Sequence, residues 1–241
     1  DAHLVLHAEA LALTRIGLTP GFADHVVPFH GYVPSSNSIV MSAIPQSLSK
    51  YIEEKGALAQ KTFSSETMFD PVLGMGQWEG LARQLIAGLS WLHTKAHIVH
   101  GDIKPHNILL RPCSHAIDGV DKFPFEALLA DFSSAHDLAG SSITGESRGS
   151  SMAALTPPFT APELLVLPSL SSFSVVPTTA SDVFSMAITL LVAATGDLLL
   201  YPGTNNMQRL AMAREGHKVL EFVRSGRNGC RVPRNGPVEQ V

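Results

Sequence analysis

At 241 residues the chain can form one large domain or two small ones, and with 45% hydrophobic residues it can bury a sizeable core. Charged residues are scarce at 16%, and a net charge of −4 gives no electrostatic reason to expect a nucleic acid or an acidic membrane as the main partner. Two cysteines, Cys113 and Cys230, are too few for a disulfide framework and point to a reducing, intracellular, cytoplasmic setting. No apolar run reaches the ~18 residues of a membrane span.

The chain opens at Asp1 without a basic-then-apolar leader, so it reads as a fragment of something longer or as a chain trimmed at its start. Leu6, Leu13 and Ile16 share one face of a predicted helix over residues 2–16, which Thr19-Pro20-Gly21 breaks. Two extended runs follow, Val26-Val27 with Phe29 and Ile39-Val40-Met41, on either side of the turn-rich Pro34-Ser35-Ser36-Asn37. A short helix is predicted over 47–55 and a polar loop over 56–74. Next comes an amphipathic helix over 78–93, with Leu81, Leu85, Leu89 and Leu92 on one face. Ile108-Leu109-Leu110 and Leu128-Leu129-Ala130 read as short buried strands, joined by a loop through Pro112 and Gly119. The Ser/Gly/Thr-rich stretch from Gly140 to Leu155 reads as mobile, and Leu167 to Thr179 is a second such stretch. An apolar helix over 181–195 ends at Gly196, residues 208–224 are mostly helical, and the tail from Gly226 is loop-like. There is no internal repeat.

The stretch that carries chemistry is His100-Gly101-Asp102-Ile103-Lys104-Pro105-His106-Asn107-Ile108-Leu109-Leu110, after a helix ending in Trp91-Leu92-His93 and a short Ile98-Val99 strand. Phosphoryl transfer needs positioning and charge neutralisation more than covalent help. A carboxylate can orient the attacking hydroxyl and take its proton, a cation two residues on can reach the phosphate, and an amide oxygen can help hold magnesium. An isolated D-x-K would be a polar surface loop turning at Pro105, but here the whole pattern stands between a helix and a strand. It resembles the catalytic loop of eukaryotic-type protein kinases, H-R-D-x-K-x-x-N, and departs from it at Gly101, where that family usually has Arg. The resemblance implies that Asp102 is the proton acceptor, Lys104 the phosphate-directed cation and Asn107 a metal ligand.

Further motifs follow in the family's order. Ala130-Asp131-Phe132-Ser133 resembles D-F-G after its strand and implies Asp131 as the principal magnesium ligand, with Phe132 as a core anchor. Ser133 replaces the glycine and tolerates φ > 0 less well, so the flip open to glycine is restricted. Thr156-Pro157-Pro158-Phe159-Thr160-Ala161-Pro162-Glu163 resembles the T-P-x-Y-x-A-P-E end of an activation segment. It implies a Thr156 hydroxyl that meets Asp102 and Lys104, which favours serine/threonine over tyrosine. Ser181-Asp182-Val183-Phe184-Ser185-Met186-Ala187 resembles the start of the large buried kinase helix. Asp182 would accept backbone N–H bonds from the catalytic loop, or Ser181 or Asp182 would simply cap the helix.

Ahead of the catalytic loop the resemblance weakens but keeps its order. Glu9 matches the regulatory-helix glutamate that pairs with a third-strand lysine, and Leu13 the residue that stacks on Phe132. Met41 would guard the adenine pocket, the backbones of Ser42 and Ile44 would meet the adenine edge, and Leu109 would cover the purine from below. The 241 residues hold no G-x-G-x-x-G-x-V loop and no lysine before Glu9. In many kinases the Arg of H-R-D gathers a phosphate on the activation segment; Gly101 cannot, and only Arg148 lies among Ser141, Ser142, Thr144, Ser147, Ser150 and Ser151.

The expectation is therefore an α+β, protein-kinase-like fold. Residues 1–46 would form part of a β-containing N-terminal lobe, namely the end of the regulatory helix, two strands and a hinge. Residues 47–241 would form a mainly helical C-terminal lobe, incomplete at its end. The implied function is protein serine/threonine kinase, with ATP and magnesium as cofactors and a protein substrate, the fragment alone being inactive. A pseudokinase scaffold is the alternative. A metal site built from His93, His97, His100, His106, His115 and Cys113 is a third reading, favoured only by the i, i+4 spacing of His93 and His97. Oligomeric state is not legible.

Overall fold

Leucines at 81, 85, 89 and 92 are each no more than 3% exposed, as the sequence pattern requires, and helix α3 (Met75–Trp91), which carries the first three and ends just before the fourth, is the spine of the core. In the computed structural model, which describes residues 2–113, 122–138, 156–165, 176–201 and 203–240, α3 packs against helix α4 (Thr179–Thr195). The Trp78 indole N–H donates to the Leu190 carbonyl at 2.9 Å and fixes their relative height. Ile188, Val192, Ala193 and Ala194 complete the apolar contact.

Helix α4 begins earlier than the sequence suggests. Thr178 is its cap: its hydroxyl accepts the Ser181 N–H at 3.2 Å, and the Ser181 hydroxyl accepts the Thr178 N–H at 2.9 Å. Asp182 is therefore inside the first turn and free to bond elsewhere. Gly196 closes the helix at φ 75°, as expected.

Helix α2 (Leu48–Lys61) starts at its Ser47 cap and runs past the residue where a loop was predicted. Gly56 does not break it, because this glycine is a close-packing position. A Cβ there would stand 3.3 Å from the Gly196 carbonyl oxygen, so α2 and the end of α4 touch backbone to backbone. After α3, residues Leu92–Ala96 continue as a wider helical turn, which ends at His97 in the left-handed region. The predicted helix over 208–224 is two helices, α5 (Asn206–Arg214) and α6 (Val219–Ser225), divided by a tight turn at Gly216–Lys218. A Cβ on Gly216 would lie 2.3 Å from Pro162, so the chain turns where it must pass close to that proline. The tail is more ordered than expected, with a tight turn at Gly229–Arg231 and helix α7 (Pro237–Gln240).

The strands are short and paired. Strands β1 (Phe29–Val33) and β2 (Ser38–Met41) form a hairpin around the predicted turn, with Val33 opposite Ser38 and Phe29 opposite Met41. Strands β3 (Ile98–Val99) and β6 (His136–Asp137) pair antiparallel, as do β4 (Ile108–Pro112) and β5 (Phe125–Leu129). Val26-Val27, expected with β1, instead joins the β4–β5 hairpin: Val27 N–H donates to the Leu129 carbonyl at 3.0 Å, and Leu129 N–H to the His25 carbonyl at 2.8 Å. On the other edge, Leu110 N–H donates to the Gln46 carbonyl at 2.8 Å. Helix α1 (Ala2–Leu18) buries Ala10, Leu13 and Ile16 against this assembly, and Arg15 pairs with Asp137 of β6.

The α+β class expected is the class found. No helix among the described residues is long and apolar enough to cross a membrane. The stretch predicted as mobile from Gly140 to Leu155, most of Leu167 to Thr179 and the loop through Gly119 lie outside the described residues.

Two substitutions on α3 separate the buried face from the exposed one. Leu81→Ala leaves a cavity where exposure is 0% and should cost about 3 kcal/mol of unfolding free energy in urea titrations. Ile86→Ala, at a position 46% exposed, should stay within about 0.5 kcal/mol of the parent.

Candidate functional site

The site is assembled around Asp182, which is 1% exposed and would be costly to bury without partners. One carboxylate oxygen accepts the His100 N–H at 2.8 Å and the His93 ring N–H at 2.8 Å; the other accepts the Gly101 N–H at 2.9 Å. The helix-start aspartate thus braces the loop between β3 and β4, as the sequence resemblance implied. His100 is fully buried. Its Nε2 lies 3.1 Å from the Ala130 carbonyl, and its Nδ1 accepts the Asp102 N–H at 3.3 Å. That pattern requires the neutral ring with the proton on Nε2.

Gly101 has φ 80°, and a Cβ there would come within 2.4 Å of the Ser134 carbonyl oxygen. The place where a kinase arginine would start is filled by backbone from the segment after Phe132. Glycine is needed here for both conformation and space.

The loop then brings four of the singled-out residues together. Lys104 Nζ donates to Asp102 Oδ2 at 2.6 Å and lies 3.4 Å from Thr156 Oγ1. The Thr156 hydroxyl reaches Asp102 Oδ1 at 3.4 Å. Asn107 donates its amide N–H groups to the Asp102 carbonyl at 2.9 Å and to Oδ2 at 3.1 Å. Thr156 is held by its own turn, its N–H donating to the Thr160 hydroxyl at 2.8 Å.

Asp131 is delivered by a backbone bond, Ala130 N–H to the Asn107 carbonyl at 2.9 Å. Its side chain is exposed and its φ is 63°, so the left-handed residue of this motif is Asp131 and not Ser133, where the sequence reading placed the constraint. The Ser133 hydroxyl donates to Asp131 Oδ1 at 2.6 Å. Phe132 is 1% exposed, shares the main core cluster with Leu13, and meets the His100 ring at a tilt, with ring centroids 4.7 Å apart. Its N–H donates to Glu9 Oε1 at 3.2 Å. Burial first, and then the Asp131 carboxylate, push the Glu9 carboxyl above its ordinary range, while the Phe132 N–H opposes them.

Asn107 and Asp131 fit a magnesium ion. The amide nitrogen of Asn107 is committed to Asp102, its side-chain oxygen has no hydrogen-bond partner among the described residues, and amide plus carboxylate oxygen is the hard donor set this ion prefers. The alternative His/Cys cluster does not assemble: His93 is held by Asp182 and His100 by Ala130, and His115 is outside the described residues. Among the described residues no three His, Cys, Asp or Glu side chains come together to hold a metal.

The four residues singled out for adenine converge in part. Met41, Ile44 and Leu109 pack on a small separate cluster of Val27, Leu128 and Ala130. Ser42 lies beside them, but its N–H is spent on the Pro28 carbonyl at 2.9 Å and its hydroxyl meets His30 Nε2 at 2.9 Å. No backbone hydrogen bond among the described residues engages Ile44. The sequence reading missed Val27, Ser134 and His136. Val27 had a signal in its apolar run, misassigned to the wrong sheet. Ser134 and His136 had none, since a carbonyl contact and a two-residue strand leave no pattern.

Comparison with known proteins gives a family model described as "Protein kinase domain", matching residues 21–232. One relative, the dual specificity mitogen-activated protein kinase kinase 1 of Dictyostelium discoideum, is 42% identical over 57 residues, 24% of this chain and 8% of that protein. Glu9 and the whole of α1 precede the family match.

Restoring arginine at position 101 should therefore harm the fold. Gly101→Arg meets both left-handed strain and the Ser134 carbonyl, and should cost about 2 kcal/mol or more in chemical denaturation. A second test uses pH. Burial holds the His136 ring below its ordinary pKa, with Asp182 opposing in part. A lowered folded-state pKa means that the unfolded chain binds the proton more readily. Stability should thus be full above about pH 6.5 and fall as pH drops through that value. The stability gap between the parent and His136→Gln should shrink toward acid; a gap that is constant from pH 8 to 5 would contradict the assignment.

Proposed function

This chain belongs to the protein kinase family, and on that premise we propose that it transfers the γ-phosphate of ATP to a serine or threonine hydroxyl of a protein substrate. The observation that carries the proposal is the contact set around Asp102, with Lys104 at 2.6 Å and the hydroxyl of Thr156 at 3.4 Å. Asp102 orients the attacking hydroxyl and accepts its proton as the oxygen–phosphorus bond forms and the bond to the ADP leaving group breaks. Lys104 neutralises charge on the phosphoryl oxygens from beside that carboxylate. Thr156 closes the pair from the activation-segment side, which supports serine/threonine over tyrosine. Asn107 and Asp131 would hold magnesium, which would supply positive charge to offset that of the phosphates. Met41 guards the adenine pocket, the backbones of Ser42 and Ile44 meet the adenine edge, and Leu109 covers the purine from below. In this reading residues 1–46 are the small-lobe part and 47–241 the large lobe, and the two free cysteines suit a reducing, intracellular compartment.

A scaffold that binds without transferring is the second reading. What favours it is that Glu9 engages the Phe132 N–H and pairs with no cation among the described residues. For the same reason, calorimetry should find weak Mg-ATP binding by the 241-residue chain; low-micromolar affinity would contradict that expectation.

The deciding experiment measures labelled phosphate transfer to serine, threonine and tyrosine peptides by a full-length form that carries a glycine-rich loop and a lysine ahead of Glu9. Asp102→Asn, which keeps shape but loses the proton acceptor, should lower the rate by about 100-fold or more. Transfer that persists undiminished in Asp102→Asn, or that goes to tyrosine alone, would overturn the proposal. No transfer above background by the parent would favour the scaffold.

A further inference from the structure

Ser133 occupies the position where the matching kinase motif has glycine, a residue that could make no side-chain contact. Here its hydroxyl donates to Asp131 Oδ1 at 2.6 Å, and its own N–H approaches the same oxygen at 3.4 Å. Asp131 needs such support. It is exposed, with a left-handed backbone that non-glycine residues seldom adopt, and no ion pair with a described residue holds its carboxylate. The neighbouring Glu9 carboxylate pushes against it rather than restraining it, and Phe132 has its N–H turned to Glu9. The backbone on either side is thus fixed, by Ala130 on Asn107 and by Phe132 on Glu9, while the side chain that matters is left to Ser133.

We propose that Ser133 is a positioning residue for the divalent-cation site: its hydroxyl holds the Asp131 carboxylate in the orientation that, with the Asn107 oxygen, accepts the ion. The proposal rests on the reading of Asn107 and Asp131 as the metal-holding pair. Outer hydrogen bonds to metal-ligating groups set the ligand's orientation, and their loss commonly weakens metal binding by about 10- to 100-fold. A flexible, exposed carboxylate must otherwise be ordered by the ion itself, which lowers affinity. Glycine at 133, though it matches the family pattern, removes the hydroxyl and so does not restore a better site here.

The test uses manganese alone as the probe, without nucleotide and without any measure of turnover. Manganese is titrated into the 15N-labelled chain, and paramagnetic broadening is followed at the Phe132 and Ser133 amides. Asp131→Asn serves as the control for the site. The parent should show saturable broadening that Asp131→Asn abolishes. Ser133→Ala and Ser133→Gly should raise the half-saturating concentration by about tenfold or more, while Ser133→Thr, which keeps the hydroxyl, returns it to within about threefold of the parent. Melting temperatures of the four chains should agree, because position 133 is exposed. Equal half-saturation in the parent, Ser133→Ala and Ser133→Gly, with Asp131→Asn still inactive, overturns the role of Ser133 and leaves the metal reading standing. Broadening that is absent in the parent, or unchanged by Asp131→Asn, overturns the metal reading and the proposal with it.

Discussion

A carboxylate with almost no exposure, Asp182, is the constraint on which the site depends. A buried carboxylate is tolerable only when donors surround it, and this one takes three: two consecutive backbone N–H groups and a histidine ring. Those donors come from the end of the α3 segment and from the loop after β3, while the acceptor belongs to the first turn of α4. Removing the acceptor would leave two peptide N–H groups and His93 without partners at once. The loop that displays Asp102 and Lys104 is therefore not free to wander: its first two amides are anchored to a helix that is itself locked in the core by Trp78 and Leu190.

From that anchor the rest follows by short links. His100 continues the chain of contacts inward to Ala130 and Phe132, so the positions of Asp102 and of Asp131 are set by one buried ring. Asn107 binds both sides, its side chain to Asp102 and its carbonyl to Ala130. The close approach of Gly101 to Ser134 adds a packing link between the same two loops. In a chain where arginine is absent at this position, backbone contact supplies part of the connection between them.

What was legible in the sequence was what depends on spacing. The α3 face, the glycine stop of α4 and the existence of the short strands follow from residue order, while the grouping of Asp102, Lys104, Asn107 and Thr156 was what the kinase resemblance implied. What was not legible depends on through-space packing. The stretch from Gly56 looked like a loop because it is polar and low in periodicity, and only the contact of Gly56 with Gly196 shows why the helix continues. The cap of α4 lay at Thr178, ahead of both candidates Ser181 and Asp182, because Thr178 and Ser181 satisfy each other, which leaves Asp182 for the loop. The left-handed residue at the Asp131-Phe132-Ser133 turn fell on the aspartate, a residue type that tolerates this conformation better than most. Val27 was misplaced for a similar reason: an extended valine pair does not announce which neighbour it will bond.

The hydrogen bonds of Val27 and Gln46 have a mechanical consequence. Both residues fasten to the β4–β5 hairpin, one on the Leu129 edge and the other on the Leu110 edge. Residues 28–45 are thus an excursion with both feet planted on the same short sheet, and β1–β2 is a lever on that base. Torque on the lever reaches β4 and β5 through two amide–carbonyl couplings rather than through a flexible tether. The sheet ends at Ile108 and Leu129, directly beside Asn107 and one residue before Ala130. Load applied far out on the hairpin therefore arrives at the two loops that carry the carboxylates.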